Sequence, residues 1–227
     1  ANTDNQDLLF EQGNRLYIKG EYSEAVQIYQ EITTSHGLSA QLLYNLGNSY
    51  AQDGRPGKAV LSYLRAIHLS PGDPDIVGNL QLLRTEQGLF QPEQPFVRRI
   101  LHLLEMNQWC LAAGFIFFFL TLVHLGCFFL PQLRKRCFWL SILLVIILVF
   151  CSVSAFYRYQ EFHDGVVTSQ EAHMRISPFA AATSVGILQE GRVIRPIRTH
   201  GEFSLVQDPS GRSGWLHKDH FGLIVEK

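Results

Sequence analysis

The side chains capable of chemistry gather at three places. His217-Lys218-Asp219-His220 puts two imidazoles and a carboxylate within four positions. A metal centre needs several donors converging on one point, whereas neighbouring side chains on a strand or loop diverge, and no third ligand accompanies them. No metal site is expected there. Cys110, Cys127, Cys137 and Cys151 all lie within or at the ends of two apolar runs. There they act as small apolar residues, and neither a disulfide framework nor a thiolate metal site is indicated. His124 sits inside the first of those runs, about two turns from its end. An ionisable group in such surroundings is a functional hypothesis by default, although a neutral imidazole bonded to Ser141 or to a partner helix satisfies the same chemistry. The chain has no phosphate-binding loop, Gly-rich dinucleotide fingerprint, HExxH or GxSxG, so no catalytic residue, cofactor or enzymatic activity is expected.

The elements that position these residues begin with the apolar runs. WCLAAGFIFFFLTLVHLGCFFL (109–130) and CFWLSILLVIILVFCSVSAFY (137–157) carry no Asp, Glu, Lys or Arg. At 1.5 Å per residue each makes a helix of roughly 32 Å, matching a hydrocarbon core of about 30 Å. A helical hairpin satisfies its backbone internally, as a bilayer requires, and 109–157 is expected to be a two-helix transmembrane hairpin. Within its first span Gly114, Thr121 and His124 recur along one stripe, where small and polar residues favour packing against other spans. PFVRRILHLLEM (95–106) reads as an amphipathic interfacial helix, within a linker region of 92–108. Arg134, Lys135 and Arg136 crowd the connecting loop, which the positive-inside rule places in the cytoplasm. Ala1 in place of Met fits a chain whose secretory signal has been removed. Both flanking soluble parts are therefore expected outside the cytoplasm, on the same face of one membrane.

The averages of 227 residues, 47% hydrophobic and net charge −1, hide this division. Residues 1–91 carry six Lys/Arg against ten Asp/Glu, and 159–227 carry seven against eight. Neither has the basic stripe that nucleic-acid binding uses.

Within 1–91 a period of 34 is visible: Gly13, Asn14, Gly20, Ala25 and Tyr29 return as Gly47, Asn48, Gly54, Ala59 and Tyr63. AQLLYNLGNSYAQDGRPGKAVLSYLRAIHLSP (40–71) resembles the tetratricopeptide repeat closely, through Leu46-Gly47, Tyr50, Ala59, Tyr63, Ala66 and Pro71. The copy before it is looser. Glycine and alanine at these places let paired helices approach, and Gly20 and Gly54 supply positive φ where each first helix ends. PDIVGNLQLLR (74–84), with Asp73 as N-cap, is expected to cap the stack with Ile76, Val77, Leu80 and Leu83 on one face. Helices are predicted over 5–19, 22–35, 39–53, 56–69 and 74–87. The resemblance implies a concave groove for protein partners, presenting Phe10, Asn14, Tyr17, Gln41, Tyr44, Asn45, Asn48 and Gln52. Some relatives clamp a C-terminal carboxylate there. Asn14 and Asn45 hold the asparagine places, but Phe10, Asp75 and Asn79 stand where cations would, so no such clamp is expected.

From 158 the pattern changes to short β-branched runs: GVVT, AHMRIS, SVGIL, RVIRPIR, EFSLVQ and SGWLHK, separated by Gly, Pro and Asp. MRISPF (174–179), LQEGRVI (188–194) and DPSGRSGWLHKDHF (208–221) resemble a bacterial SH3 domain, carried by Arg175, Pro178, Gly191, Gly211, Gly214 and Trp215. An all-β SH3-like barrel over 158–227 is expected, with Val167, Met174, Ile176, Val185, Ile187, Val193, Phe203, Leu205, Trp215 and Leu223 in its core.

The order of repeats, two spans and SH3-like domain resembles the BatE-type proteins of the Bat (Bacteroides aerotolerance) operons. That resemblance implies a non-catalytic scaffold or adaptor of an inner-membrane assembly. Its implied partners are membrane proteins with von Willebrand A domains and, indirectly, a MoxR-type AAA+ ATPase. The competing expectation is a cell-envelope sensor whose SH3-like domain binds peptidoglycan.

Overall fold

Two glycines set the spacing of the helical layer. A Cβ built on Gly13 would lie 2.6 Å from Cε1 of Tyr29, and one on Gly47 would lie 2.7 Å from Cε1 of Tyr63. Each tyrosine ring thus lies directly against a backbone that only glycine leaves bare. In a computed structural model, which describes residues 2–89, 100–101, 104, 106–129, 132, 134–161 and 163–225, these contacts join two helical pairs. They are α1 (Asn2–Lys19) with α2 (Tyr22–His36), and α3 (Ala40–Gln52) with α4 (Pro56–Leu69). Gly20 and Gly54 have φ of 83° and 73° where the first helix of each pair ends. The capping helix α5 (Pro74–Glu86) starts at Asp73, whose carboxylate accepts the N–H groups of Asp75 and Ile76. It buries Ile76, Leu80 and Leu83, whereas Val77 is exposed, a departure from the expected face. At 100° per residue, Val77 is turned away from the line through its three neighbours.

The C-terminal region forms seven antiparallel strands: β1 (Gly165–Val167), β2 (Ala172–Arg175), β3 (Ser184–Leu188), β4 (Val193–His200), β5 (Phe203–Gln207), β6 (Ser213–His217) and β7 (Phe221–Leu223). Their order is β3-β2-β6-β5-β4-β1-β7, an open sheet with β3 and β7 at its edges. The core holds Val167, Ala172, Met174, Leu188, Ile194, Val206 and Leu216. Three residues expected in it, Ile176, Val185 and Ile187, are instead exposed. Leu188, paired with Ala172, faces inward, and alternation then turns Ile187 and Val185 outward on an edge strand. Ile176 lies past the bulge between Met174 and Arg175. Trp215 is only 8% exposed, covered by the Arg198 guanidinium 5.3 Å from its ring and by the His200 ring. The β5–β6 turn is tied by Asp208, whose carboxylate accepts the N–H groups of Ser210 and Arg212 and pairs with the Arg212 guanidinium. Burial alone would raise its pKa, but these bonds outweigh it and the group is held below its ordinary value.

Repeats and sheet belong to one compact unit, built from residues 1–92 and 163–227. Val166 joins the helical core, with Val193 and Ile224 packed beside it. The Glu190 carboxylate accepts the Gly57 N–H at 3.0 Å, Arg65 donates twice to the Leu223 carbonyl, and the Gln189 side chain donates to the Gln87 carbonyl.

Residues 93–162 form the second unit. Its helices α6 (Met106–Phe129) and α7 (Arg134–Glu161) are long and apolar enough to cross a membrane. The less exposed residues recur every three or four positions: Ala113, Ile116, Leu120, Val123 and Cys127 on α6, and Cys137, Ser141, Leu144, Leu148 and Cys151 on α7. That is the seam expected of two packed helices. At one end Trp109 meets Phe150 edge-on at 5.6 Å and donates Nε1–H to the Leu101 carbonyl. Helix α7 continues to Glu161, past the end of the apolar run at Tyr157. Much of the expected linker and interfacial helix (92–99, 102, 103 and 105), with Pro131 and Leu133 of the loop, lies outside the described residues.

The junction of repeats and sheet gives a direct test. A Cβ on Gly57 would lie 2.4 Å from the Val167 carbonyl oxygen and 2.5 Å from Cγ of Glu190. Gly57→Val should therefore destabilise the unit by about 1–3 kcal/mol. Gly78→Ala, where a Cβ meets nothing within 4 Å, should not lower the melting temperature. Far-UV circular dichroism melts of the full chain in detergent distinguish the two.

Candidate peptide-binding groove

The 34-residue period places two copies of one hydrogen-bond motif along the first helices. The Asn14 side-chain oxygen accepts from the Tyr29 hydroxyl at 2.7 Å and from the Asn45 amide at 2.9 Å. One repeat later, Asn48 accepts from the Tyr63 hydroxyl at 2.6 Å and from the Asn79 amide at 2.8 Å. Asn79 also donates to the Tyr44 hydroxyl, and Gln41 donates to Asn45. An asparagine suits positions 14 and 48 because its side-chain carbonyl oxygen carries two lone pairs and takes both donors. The chemistry is neutral throughout. Burial pushes the Tyr29 phenol up to about 12 and raises Tyr63 as well.

Beside this ladder lies a cavity of about 270 Å³ lined by Asn14, Tyr17, Ile18, Tyr29, Asn45 and Asn48. Four of the residues read from the sequence as groove therefore meet there: Asn14, Tyr17, Asn45 and Asn48. Phe10 and Tyr44 pack instead on the repeat tyrosines, at ring distances of 5.9 Å to Tyr29 and 6.2 Å to Tyr63. Gln41 is exposed, and Gln52, at the end of α3, is not part of the lining. The sequence reading missed Ile18, Tyr29 and Asn79. Asn79 was legible in principle, since it is Asn45 advanced by 34 positions. No charged side chain is among the described residues that line the cavity. It can take apolar groups and exchange amide hydrogen bonds.

The other candidates are not assembled into sites. Gly114, Thr121 and His124 are exposed on α6, and a Cβ on Gly114 would meet nothing within 4 Å. Thr121 donates to the Phe118 carbonyl, and Nδ1 of His124 lies 2.9 Å from the Leu120 carbonyl. These contacts are within the helix, not with Ser141. A neutral imidazole donating through Nδ1 presents Nε2 as an acceptor. The His217 and His220 rings do approach, at 5.8 Å, yet no group of three metal-binding side chains exists among the described residues. No disulfide joins the cysteines among the described residues.

A tetratricopeptide-repeat family model matches residues 10–74, the segment that holds the whole cavity lining. Curated proteins give no significant match to the chain. Residues 10–74 thus carry a module whose family is non-catalytic and binds proteins.

Removing the shared acceptor in Asn48→Ala strands two donors, which should destabilise the protein by about 1–3 kcal/mol in denaturant titrations. Tyr29 adds a pH dependence. Its folded pKa is raised, so its contribution is complete below the unfolded value near 10 and is lost as pH rises towards about 12. Denaturation midpoints should fall over that interval, and less steeply in Tyr29→Phe.

Proposed function

We propose that the chain is a non-catalytic, membrane-anchored adaptor whose repeats hold a protein partner in the neutral groove. The observation that carries this reading is the division of the helical faces. The sheet docks on α4, the second helix of its pair, while α1 and α3 keep the cavity lined by Tyr17, Ile18 and Asn45. An uncharged cavity with tyrosine and asparagine edges suits an extended peptide segment, through apolar side chains and backbone amides.

The BatE-type resemblance supplies the finer proposal. The sheet is SH3-like, the partners are von Willebrand A membrane proteins acting with a MoxR-type ATPase, and the location is the inner membrane with the large unit outside the cytoplasm. One compact unit is built from segments before and after the hairpin, which supports a reading with both segments on one side of the membrane. That supports an even number of crossings. The adaptor reading stands ahead of peptidoglycan recognition because Trp215, the aromatic residue of the SH3-like motif, is covered by Arg198 and His200. The outward Gly114, Thr121 and His124 suit packing against a partner's spans.

Co-purification from native membranes with mass spectrometry tests the proposal. Ile18 is 82% exposed at the cavity, so Ile18→Asp should lose groove partners without unfolding the repeats. Gly114→Leu with His124→Leu should lose membrane partners while insertion is kept. Unchanged recovery in both variants, or retention of the wild type on purified cell wall, overturns the adaptor reading. Alkaline phosphatase fused after Lys227 should be active, and an inactive, well-expressed fusion overturns the orientation.

A further inference from the structure

A second cavity, of about 280 Å³, lies where the repeats meet the sheet. Its lining combines α2, α3 and α4 with Thr168, which follows β1, and Gly222 of β7. Among the described residues its charge is one-sided: Lys58 and Arg65 both line it, and no Asp or Glu does. They lie seven residues apart on α4, two turns or roughly 10 Å along one helix face. Arg65 is anchored by its two bonds to the Leu223 carbonyl. Lys58 forms no ion pair among the described residues; its ammonium lies 5.8 Å from the Tyr50 ring centroid.

The neutral donors are placed to match. The Tyr50 hydroxyl accepts from the Gln30 side chain at 2.8 Å, which leaves its own hydrogen to donate. The Thr168 hydroxyl makes no bond among the described residues, while its backbone N–H pairs with the His220 carbonyl. Thr33 and Ser62 spend their hydroxyl hydrogens on carbonyls of their own helices. Apolar walls from Leu43 and Leu46, 2% and 6% exposed, lower the local dielectric and strengthen any charge pairing inside. At roughly 30 Å³ per water, the volume corresponds to about nine waters, the scale of a phosphate or a short dicarboxylate.

We propose that this cavity binds a small anion bearing a carboxylate or phosphate group, held by Lys58, Arg65, Tyr50 and Thr168. Lys58 belongs to the repeats and Thr168 to the sheet, so the anion bridges the two. A ligand that binds only the joined form stabilises it in proportion to its concentration over its dissociation constant. The same chemistry is available from a free metabolite or from the acidic side chain of a peptide.

The test uses the full chain in lipid nanodiscs, with thermal melts at increasing inorganic phosphate, succinate or an acidic hexapeptide, against sodium chloride at equal ionic strength. Saturable stabilisation beyond the chloride control is expected. Saturation by phosphate or succinate identifies a free anion, and saturation by the peptide alone identifies an acidic side chain. Lys58→Gln and Thr168→Val should each weaken half-saturation, by about tenfold for the loss of a charge-assisted bond in the first. Lys19→Gln, at the far end of α1, should leave it unchanged. Stabilisation no greater than that by chloride, or identical in Lys58→Gln and wild type, overturns the proposal.

Discussion

Helix α4 has no cap of its own. Arg55 at its N-cap position provides no side-chain acceptor, and the partial positive charge of the helix terminus is answered by Glu190, 133 positions away in the sequence. A carboxylate at a helix N-terminus contributes about 0.3–1 kcal/mol when exposed and more when partly buried. Here it also fixes position. With Glu190 on Gly57, the loop before β4 lies on the start of α4, Gly191 sits under Leu89 and Gly222 under Leu61. The small residues at 57, 191 and 222 are what let a sheet backbone approach a helix this closely. A second contact reaches the sheet edge at β7, where the Arg65 guanidinium donates to the Leu223 carbonyl.

The groove and the seam divide the repeats between them. Every polar group of the asparagine–tyrosine ladder is neutral, while cations collect on the α4 side, where the sheet arrives. The ladder explains why the same residue types recur at a period of 34. Glycine admits the tyrosine ring, the tyrosine hydroxyl needs an acceptor, and the asparagine that accepts it has a second lone pair for the next helix. One arrangement thus sets helix spacing and leaves amide edges facing the cavity.

How much of this was legible follows from how local each signal is. The five helices fall within a few residues of their sequence-derived limits, because Gly20, Gly54, Asp73 and the prolines at 56 and 74 act on their immediate neighbours. The sheet core was half legible. Val167, Met174 and Phe203 are inward or buried as expected, but for β3 a run of SVGIL reads equally well in either parity, and its pairing with β2 chose the one that buries Leu188. Strand β7 was invisible because three residues carry no periodicity, and its existence depends on β1 beside it. In the groove, the asparagines were found by position, yet their bonds to Tyr29 and Tyr63 required knowing which face each ring turns to. The contact of Glu190 with Gly57 had no signal at all, since nothing in either segment refers to the other.

That separation has a kinetic meaning. The bonds that join repeats to sheet link residues 133 and 158 positions apart, so they become available only long after the repeats have been made. Closing a flexible loop of that length instead of one of ten residues adds about 2 kcal/mol of entropy cost, and contacts of such high order form slowly. The helices can stack from local contacts as soon as they emerge. Val60, Leu61 and Leu89 then wait with one flank bare until the final strands arrive. During that interval the hairpin between them holds the two halves at high local concentration, so the docking of sheet on repeats behaves as an intramolecular association.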